Sequence, residues 1–242
     1  AENLFKRQFR MLRNAEWTGT SPEQVEILGY HTDRGERVLT SGAQRAAWDT
    51  KPLTVPAADY ATLLGAFLSC GHIVNDSRSG SYGLGFSLPE GDRRRRLNKR
   101  LKQSLKAIDI PIHEESMRCY SKHLMLHFSP KWRQGIPASC FRWDRELQQK
   151  LLDVMLIGSG CWSQTSRRRP RAHAFHSMNR ELVADVQRLC LHTGKSANFV
   201  VIPAQPFTRR DKRYDGAEAY EARIYYSKNR PTINHLHTQT QF

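Results

Sequence analysis

Three groups of side chains in this chain have the types to do chemistry, and their spacing limits what that chemistry is. The five cysteines are Cys70, Cys119, Cys140, Cys161 and Cys190. Their number is odd and none stand in CxxC spacing. That pattern reads as reduced thiols in an intracellular compartment, cytoplasm or nucleus, and argues against a disulfide framework or a zinc site. Cys70 could act as a nucleophile only beside a base and an acid, and the sequence offers no evident His–acid pair for it. It reads as packing at a helix end. Ten histidines are scattered, and the close pair His235 and His237 has no cysteine or acid nearby. The third group is basic: 38 lysines and arginines face 23 acids, a net charge of +15. A surplus this large calls for a polyanionic partner, most simply nucleic acid.

Something must position those charges. With 242 residues, 39% hydrophobic and 10% aromatic, the chain is long and apolar enough for one large domain or two small ones sharing a core. It has no run of about 18 apolar residues to span a membrane. No signal peptide opens it, and no long basic amphipathic helix suits a membrane surface.

The organising feature is duplication. Leu63-Leu64-Gly65-Ala66-Phe67-Leu68-Ser69-Cys70-Gly71 and Leu151-Leu152-Asp153-Val154-Met155-Leu156-Ile157-Gly158-Ser159-Gly160 read as two helices, apolar on nearly every face and each stopped by a glycine. The two glycines lie 89 positions apart. After Gly71 come an alternating stretch to Asp76, a Ser-Arg-Ser-Gly-Ser turn and a second alternating stretch with Leu84, Phe86 and Leu88 on one face. A helix follows with Leu97, Leu101, Leu105 and Ile108 inward and a basic outer face from Arg93 to Lys102. Strands are expected near Pro111–Tyr120 and Lys122–Phe128. After Gly160 the order recurs: strands at Cys161–Arg167 and Ala172–Met178, a helix at Arg180–Thr193, and strands at Asn198–Ile202 and Tyr220–Ser227. A polar loop, Pro206 to Glu218, separates the last two. Two copies of helix, strand, strand, helix, strand, strand predict a pseudo-two-fold pair of α+β units. Residues 1–56 read as an extension or tether with phosphate contacts. In it, Phe5, Phe9 and Leu12 suggest a short basic helix, 22–28 an extended segment, and Ser41 to Trp48 another helix.

These residues resemble the LAGLIDADG homing endonucleases, and more narrowly the endonuclease region of inteins. Leu63 to Gly71 fits the family pattern apart from its acid. The run Gly135-Ile136-Pro137 through Glu146 to Leu152, and Phe175-His176-Ser177-Met178-Asn179 followed by Leu182, Asp185 to Leu189 and Gly194, are similar to its second half. The resemblance covers about residues 57–230, with repeats at 57–140 and 141–230 and a tail at 231–242. It implies two αββαββα units whose antiparallel sheets form a DNA-binding saddle, with the motif helices packed at the centre. It further implies a monomer on a long, asymmetric double-stranded DNA site. Splicing needs Cys, Ser or Thr at the first position and Asn at the end. Ala1 and Phe242 supply neither, so self-splicing is not expected.

Alternate positions counted from each glycine place His72, Val74, Asp76 and Arg78 on one outward face. Cys161, Ser163, Thr165 and Arg167 fall on its counterpart. Side chains on such a ribbon can read base edges in a major groove, with basic neighbours on phosphates. Family members place an acid before each motif-ending glycine to hold Mg2+, which activates water and stabilises the leaving oxygen. Here those metal positions carry Cys70 and Ser159, a soft ligand and a weak one. Asp76 and Asp153 are poorly placed to substitute. Lys228 and Lys131 are the basic residues that the resemblance points to beside each site. The implied activity is site-specific duplex recognition with metal-dependent cleavage lost or weakened. The alternatives are an active endonuclease using another acid, a non-catalytic DNA-binding regulator and, ranked last because the outward positions are polar rather than aromatic, an RNA-binding maturase.

Overall fold

The computed structural model describes residues 9–10, 17–28, 52–76, 80–88, 91–129, 135–163, 172–209, 212–225 and 232–233. In chain order the elements begin with strands β1 (Phe9–Arg10), β2 (Gln24–Ile27) and β3 (Leu53–Pro56), then helix α1 (Ala57–Cys70). There follow β4 (Gly71–Asp76), β5 (Ser81–Phe86), α2 (Asp92–Lys106), β6 (Ile112–His113), β7 (Arg118–Tyr120) and α3 (Lys122–Phe128). A 3-10 turn at Ala138–Arg142 leads to α4 (Arg145–Ser159), β8 (Gly160–Ser163), β9 (Ala172–Ser177) and α5 (Arg180–His192). The chain continues through β10 (Ser196–Ile202), β11 (Phe207–Arg209), β12 (Lys212–Tyr214), β13 (Ala219–Tyr225) and β14 (Thr232–Ile233). Two compact units divide these elements, one spanning 21–134 with 153–158, the other 1–20, 135–152 and 159–242.

The duplication is written in the sheet topology. The first unit holds a four-stranded antiparallel sheet in the order β4-β5-β7-β6. The second holds one in the order β8-β9-β13-β10. Numbered from the motif helix, both run first, second, fourth, third. The registers agree as well: Gly71 pairs with Phe86, and Gly160 with Phe175. The fold is therefore α+β, with the same strand arrangement in each unit.

In the first unit Leu63, Leu64, Ala66 and Phe67 of α1 are buried with Leu84 and Phe86 of β5, Leu97, Leu101 and Leu105 of α2, and Leu124 and Phe128 of α3. Each leucine so buried contributes about 1.5–3 kcal/mol relative to exposure. Pro56 stands at the α1 N-cap, and the Ala57 N–H donates to Glu23 O at 2.9 Å, tying β2 to the helix start. In the second unit α5 buries Leu182, Val183, Val186, Leu189 and Cys190, and the Asn179 side chain caps its first turn by accepting from Leu182 N. Asp185 reaches back from α5 to accept the Ile136 N–H at 2.8 Å, which fixes the segment leading to α4.

Four expectations are corrected. Lys122–Phe128 is a helix, not a strand: the Ser121 hydroxyl accepts from Leu124 N at 3.3 Å, and Leu124, Met125 and Phe128 share one buried face at helical spacing. The fourth strand of the first sheet is instead the short β7, which with β6 forms a hairpin inside the single strand expected at Pro111–Tyr120. The polar loop after Pro206 contains a small hairpin, β11 with β12. Phe9–Arg10 is extended and paired with Thr232–Ile233 rather than helical. The helix expected at Ser41 to Trp48 lies outside the described residues, whereas the extended segment at 22–28 is β2. No helix among the described residues is long and apolar enough to cross a membrane.

Candidate nucleic-acid interface

Gly71 ends α1, but not through the left-handed backbone that usually marks a glycine stop. Its φ is −80° and its ψ 158°, so the chain passes directly into β4. The need is for space: a Cβ there would lie 2.5 Å from Phe67 Cα. Within the last turn, Ser69 Oγ donates to Gly65 O at 2.7 Å, and Cys70 Sγ donates to Ala66 O at 3.4 Å. Burial pushes the Cys70 thiol up from 9.0 to about 11, against smaller opposing effects of the Ser69 side chain and the Arg93 charge. At neutral pH Cys70 is an S–H group.

The 153–158 stretch of α4 belongs to the same compact unit as α1. Gly158 meets the end of α1, where a Cβ would stand 2.5 Å from Ser69 Cβ and 3.4 Å from Cys70 Sγ. Val154 is fully buried. Asp153 is exposed on the helix body. Arg93 turns inward here, contrary to the outer basic face expected of it. Its Nε donates to Ile157 O at 2.9 Å and its Nη2 donates to Gly158 O. The last turn of α4 has no basic residue of its own, and the guanidinium brings a positive charge and two donors to its carbonyl end. Ser159, half-buried, closes the helix with a neutral hydroxyl. Among the described residues no group of three His, Cys, Asp or Glu side chains could hold a metal ion.

Across each sheet runs one row of side chains on the face opposite the buried Leu84 and Cys119, or Phe175 and Ile224. In the first unit the row is His72, Gly85, Arg118 and His113. In the second it is Cys161, Ala174, Arg223 and Asn198. Arg118 and Arg223 hold the same topological position. The His72 ring lies over Gly85, and its Nδ1 is 3.2 Å from Ser87 Oγ. Burial first, and then the charge of Arg118, lowers the His72 pKa from its ordinary value. Arg118 is exposed, as is Tyr120 two residues on, whose ring meets that of His113 edge-on at 5.2 Å. Arg223 Nε donates to Glu221, which is buried on the same strand.

Of the residues expected on the outward face, His72 sits beside Arg118, and half-buried Val74 pairs with Gly83. Asp76 ends β4 opposite Ser81, and Ser163 ends β8 opposite Ala172. Arg78, Thr165, Arg167, Lys131 and Lys228, like His235 and His237, lie outside the described residues. Arg118 and Arg223 did not emerge from the sequence. For Arg118 the missing signal is the register of a hairpin with two- and three-residue strands; for Arg223, in the expected strand at Tyr220–Ser227, it is the pairing of β13 with β9.

Each unit is thus a helix-backed, four-stranded antiparallel sheet with a polar and basic outer row. No family model and no curated protein matches the chain. Among solved structures it is similar to mesophilic variants of the homing endonuclease I-DmoI, at a TM-score of 0.44 and 14% identity over 70% of this chain and 89% of that one. It is also similar to I-DmoI in complex with DNA and Ca, at a TM-score of 0.43 and 14% identity, covering 70% and 84% of the two chains. For I-DmoI in complex with DNA and Mn the TM-score is 0.42, with 14% identity over 70% and 90%.

Proposed function

We propose that the chain is a LAGLIDADG-type reader of double-stranded DNA that binds its site without cutting it. The observation that carries this reading is the repeated row, His72-Gly85-Arg118-His113 and Cys161-Ala174-Arg223-Asn198, with an arginine at the same place in both sheets. A two-stranded ribbon fits a major groove, polar side chains on it read base edges, and arginines hold phosphate or guanine. The net charge of +15 supplies the sequence-independent attraction. The two rows differ at three of their four positions, so a single chain matches an asymmetric site, with the repeats at 57–140 and 141–230 each taking half. The intein-type subclass rests on the stretch from Phe175 to Gly194.

The loss of cleavage follows from the helix ends. A Mg2+ ion needs hard oxygen ligands, chiefly carboxylates. Cys70 is a protonated thiol, Ser159 a neutral hydroxyl, and the Ile157 and Gly158 carbonyls already accept from the Arg93 guanidinium. A fixed positive charge at the helix end also repels a dication. The residues present do not fit the metal. Binding does not need it, and the absent carboxylates remove repulsion from phosphates. Selecting bound duplexes from a random library, then incubating the selected site with Mg2+, tests both halves of the reading. Retained, intact duplexes sharing a sequence support it; strand cleavage by the unmodified chain sinks it.

A further inference from the structure

Cys161 has surroundings unlike those of the other four cysteines. Cys119, Cys140 and Cys190 are buried and Cys70 is partly buried, whereas Cys161 is exposed. Burial pushes the thiols of Cys119 and Cys190 up to about 11 and about 12. On the outer face of the second sheet Cys161 Sγ lies 3.1 Å from His176 Nε2. The opposite ring nitrogen, His176 Nδ1, faces Glu221 Oε2 at 3.7 Å across the β9–β13 pair. Arg223 Nε donates to the other oxygen of that carboxylate, and the Glu221 side chain is only 6% exposed. Thiol, imidazole and a buried, anchored carboxylate therefore stand in line, each on its own strand. A carboxylate beside Nδ1 favours the proton on that nitrogen and leaves Nε2 free to accept one. That is the arrangement by which a histidine takes a proton from a sulfur nucleophile.

We propose that Cys161 is a hydroperoxide-reactive thiol, with His176 as its base and Glu221 as the residue that positions the base. His176 Nε2 takes the thiol proton as Cys161 Sγ attacks one peroxide oxygen. The S–O bond forms, the O–O bond breaks, and the leaving hydroxide takes the proton back from the imidazolium. One thiol and one hydrogen peroxide give one sulfenic acid and one water, the sulfur oxidised and the peroxide reduced. Cys161 is exposed, so a small oxidant reaches its sulfur. This site is separate from the Cys70 position considered for nucleophilic chemistry, and the inference does not depend on DNA binding.

The test is oxidation of the intact chain by hydrogen peroxide at neutral pH, with dimedone trapping of the sulfenic acid and mass spectrometry of the Cys161 peptide. N-acetylcysteine serves as the ordinary thiol. Cys161 is expected to react about tenfold faster than that reference or more, and His176→Asn to remove the advantage. Unchanged circular dichroism and unlabelled Cys119 and Cys190 show that the variant is folded. For Glu221, nitrogen-15 shifts of His176 are expected to report the Nδ1–H tautomer in the unmodified chain and a move towards Nε2–H in Glu221→Gln. A Cys161 rate no higher than that of N-acetylcysteine overturns the proposal, and this comparison needs no variant. An equally fast rate in folded His176→Asn overturns it too. An unmoved tautomer in Glu221→Gln removes the positioning role.

Discussion

Gly158→Ala places a methyl group where the end of α1 leaves no room. A Cβ at 158 would stand 1.9 Å from Ser69 Oγ and 2.5 Å from Ser69 Cβ, whereas ordinary contact begins at 3.4 Å. Rotating the hydroxyl away relieves the first clash but gives up its bonds to Gly65 O and Ala66 O. The second clash is with an atom fixed to the helix backbone, so the two segments must separate by about 1 Å, which puts the cost in the upper part of the usual overpacking range, about 2–3 kcal/mol. Alanine's better helix propensity returns about 0.8–1.0 kcal/mol. The net expectation is a loss of about 1–2 kcal/mol, read as a lower urea midpoint by far-UV circular dichroism with an unchanged slope. Ser69→Gly removes the opposing atoms, so Gly158→Ala should be neutral or slightly stabilising in that background, a coupling of about 2–3 kcal/mol in the double-mutant cycle. A Gly158→Ala chain as stable as the parent, or more so, would refute the close approach.

Other perturbations follow from the same geometry. Arg118→Ala should weaken duplex binding and reduce the slope of log affinity against log salt by about 0.9 if Arg118 contacts one phosphate. Arg223→Ala should have a smaller effect, because its guanidinium is already engaged by Glu221; anisotropy titrations at several salt concentrations separate the two. His72, lowered by burial and then by Arg118, favours the folded chain while neutral, so its contribution is complete above the unfolded pKa of about 6.5. That contribution is lost as the pH falls through the lower folded value. Removing Arg118 takes away the smaller cause, so NMR titration of Arg118→Ala should find the His72 pKa closer to its ordinary value. Restoring the acids alone, in Cys70→Asp with Ser159→Asp, should give little nicking with Mg2+, because Arg93 still occupies the α4 carbonyls; adding Arg93→Met should increase it.

The parts of this fold that show in the sequence are those with local causes. Two helices apolar on nearly every face and ending in glycine, each followed by alternating stretches, are enough to place α1, α4 and the strands after them. The stop at Gly71 was legible as a stop but not in kind, since the crowding against Phe67 Cα is set by how the chain folds back. The run Lys122–Phe128 is short and apolar, and periodicity alone does not distinguish a strand from a buried helical turn at that length. The Ser121 cap and the Leu124–Phe128 spacing decide it. Register was harder still. Arg118 faces His72 only because β7 pairs with β5, and His176 reaches Cys161 only because β9 pairs with β8. The odd cysteine count said reduced thiols; which of them has a base beside it depends on residues 15 and 60 positions away. The inward turn of Arg93 depends on acceptors at Ile157 and Gly158, far along the chain.

The most direct measurement takes the unmodified chain, a duplex selected by it from a random library, and Mg2+, and follows binding and strand integrity in one gel. The account predicts a retained complex at moderate salt in which both strands stay whole. Cleavage of either strand, or retention that favours no sequence over another, would contradict it.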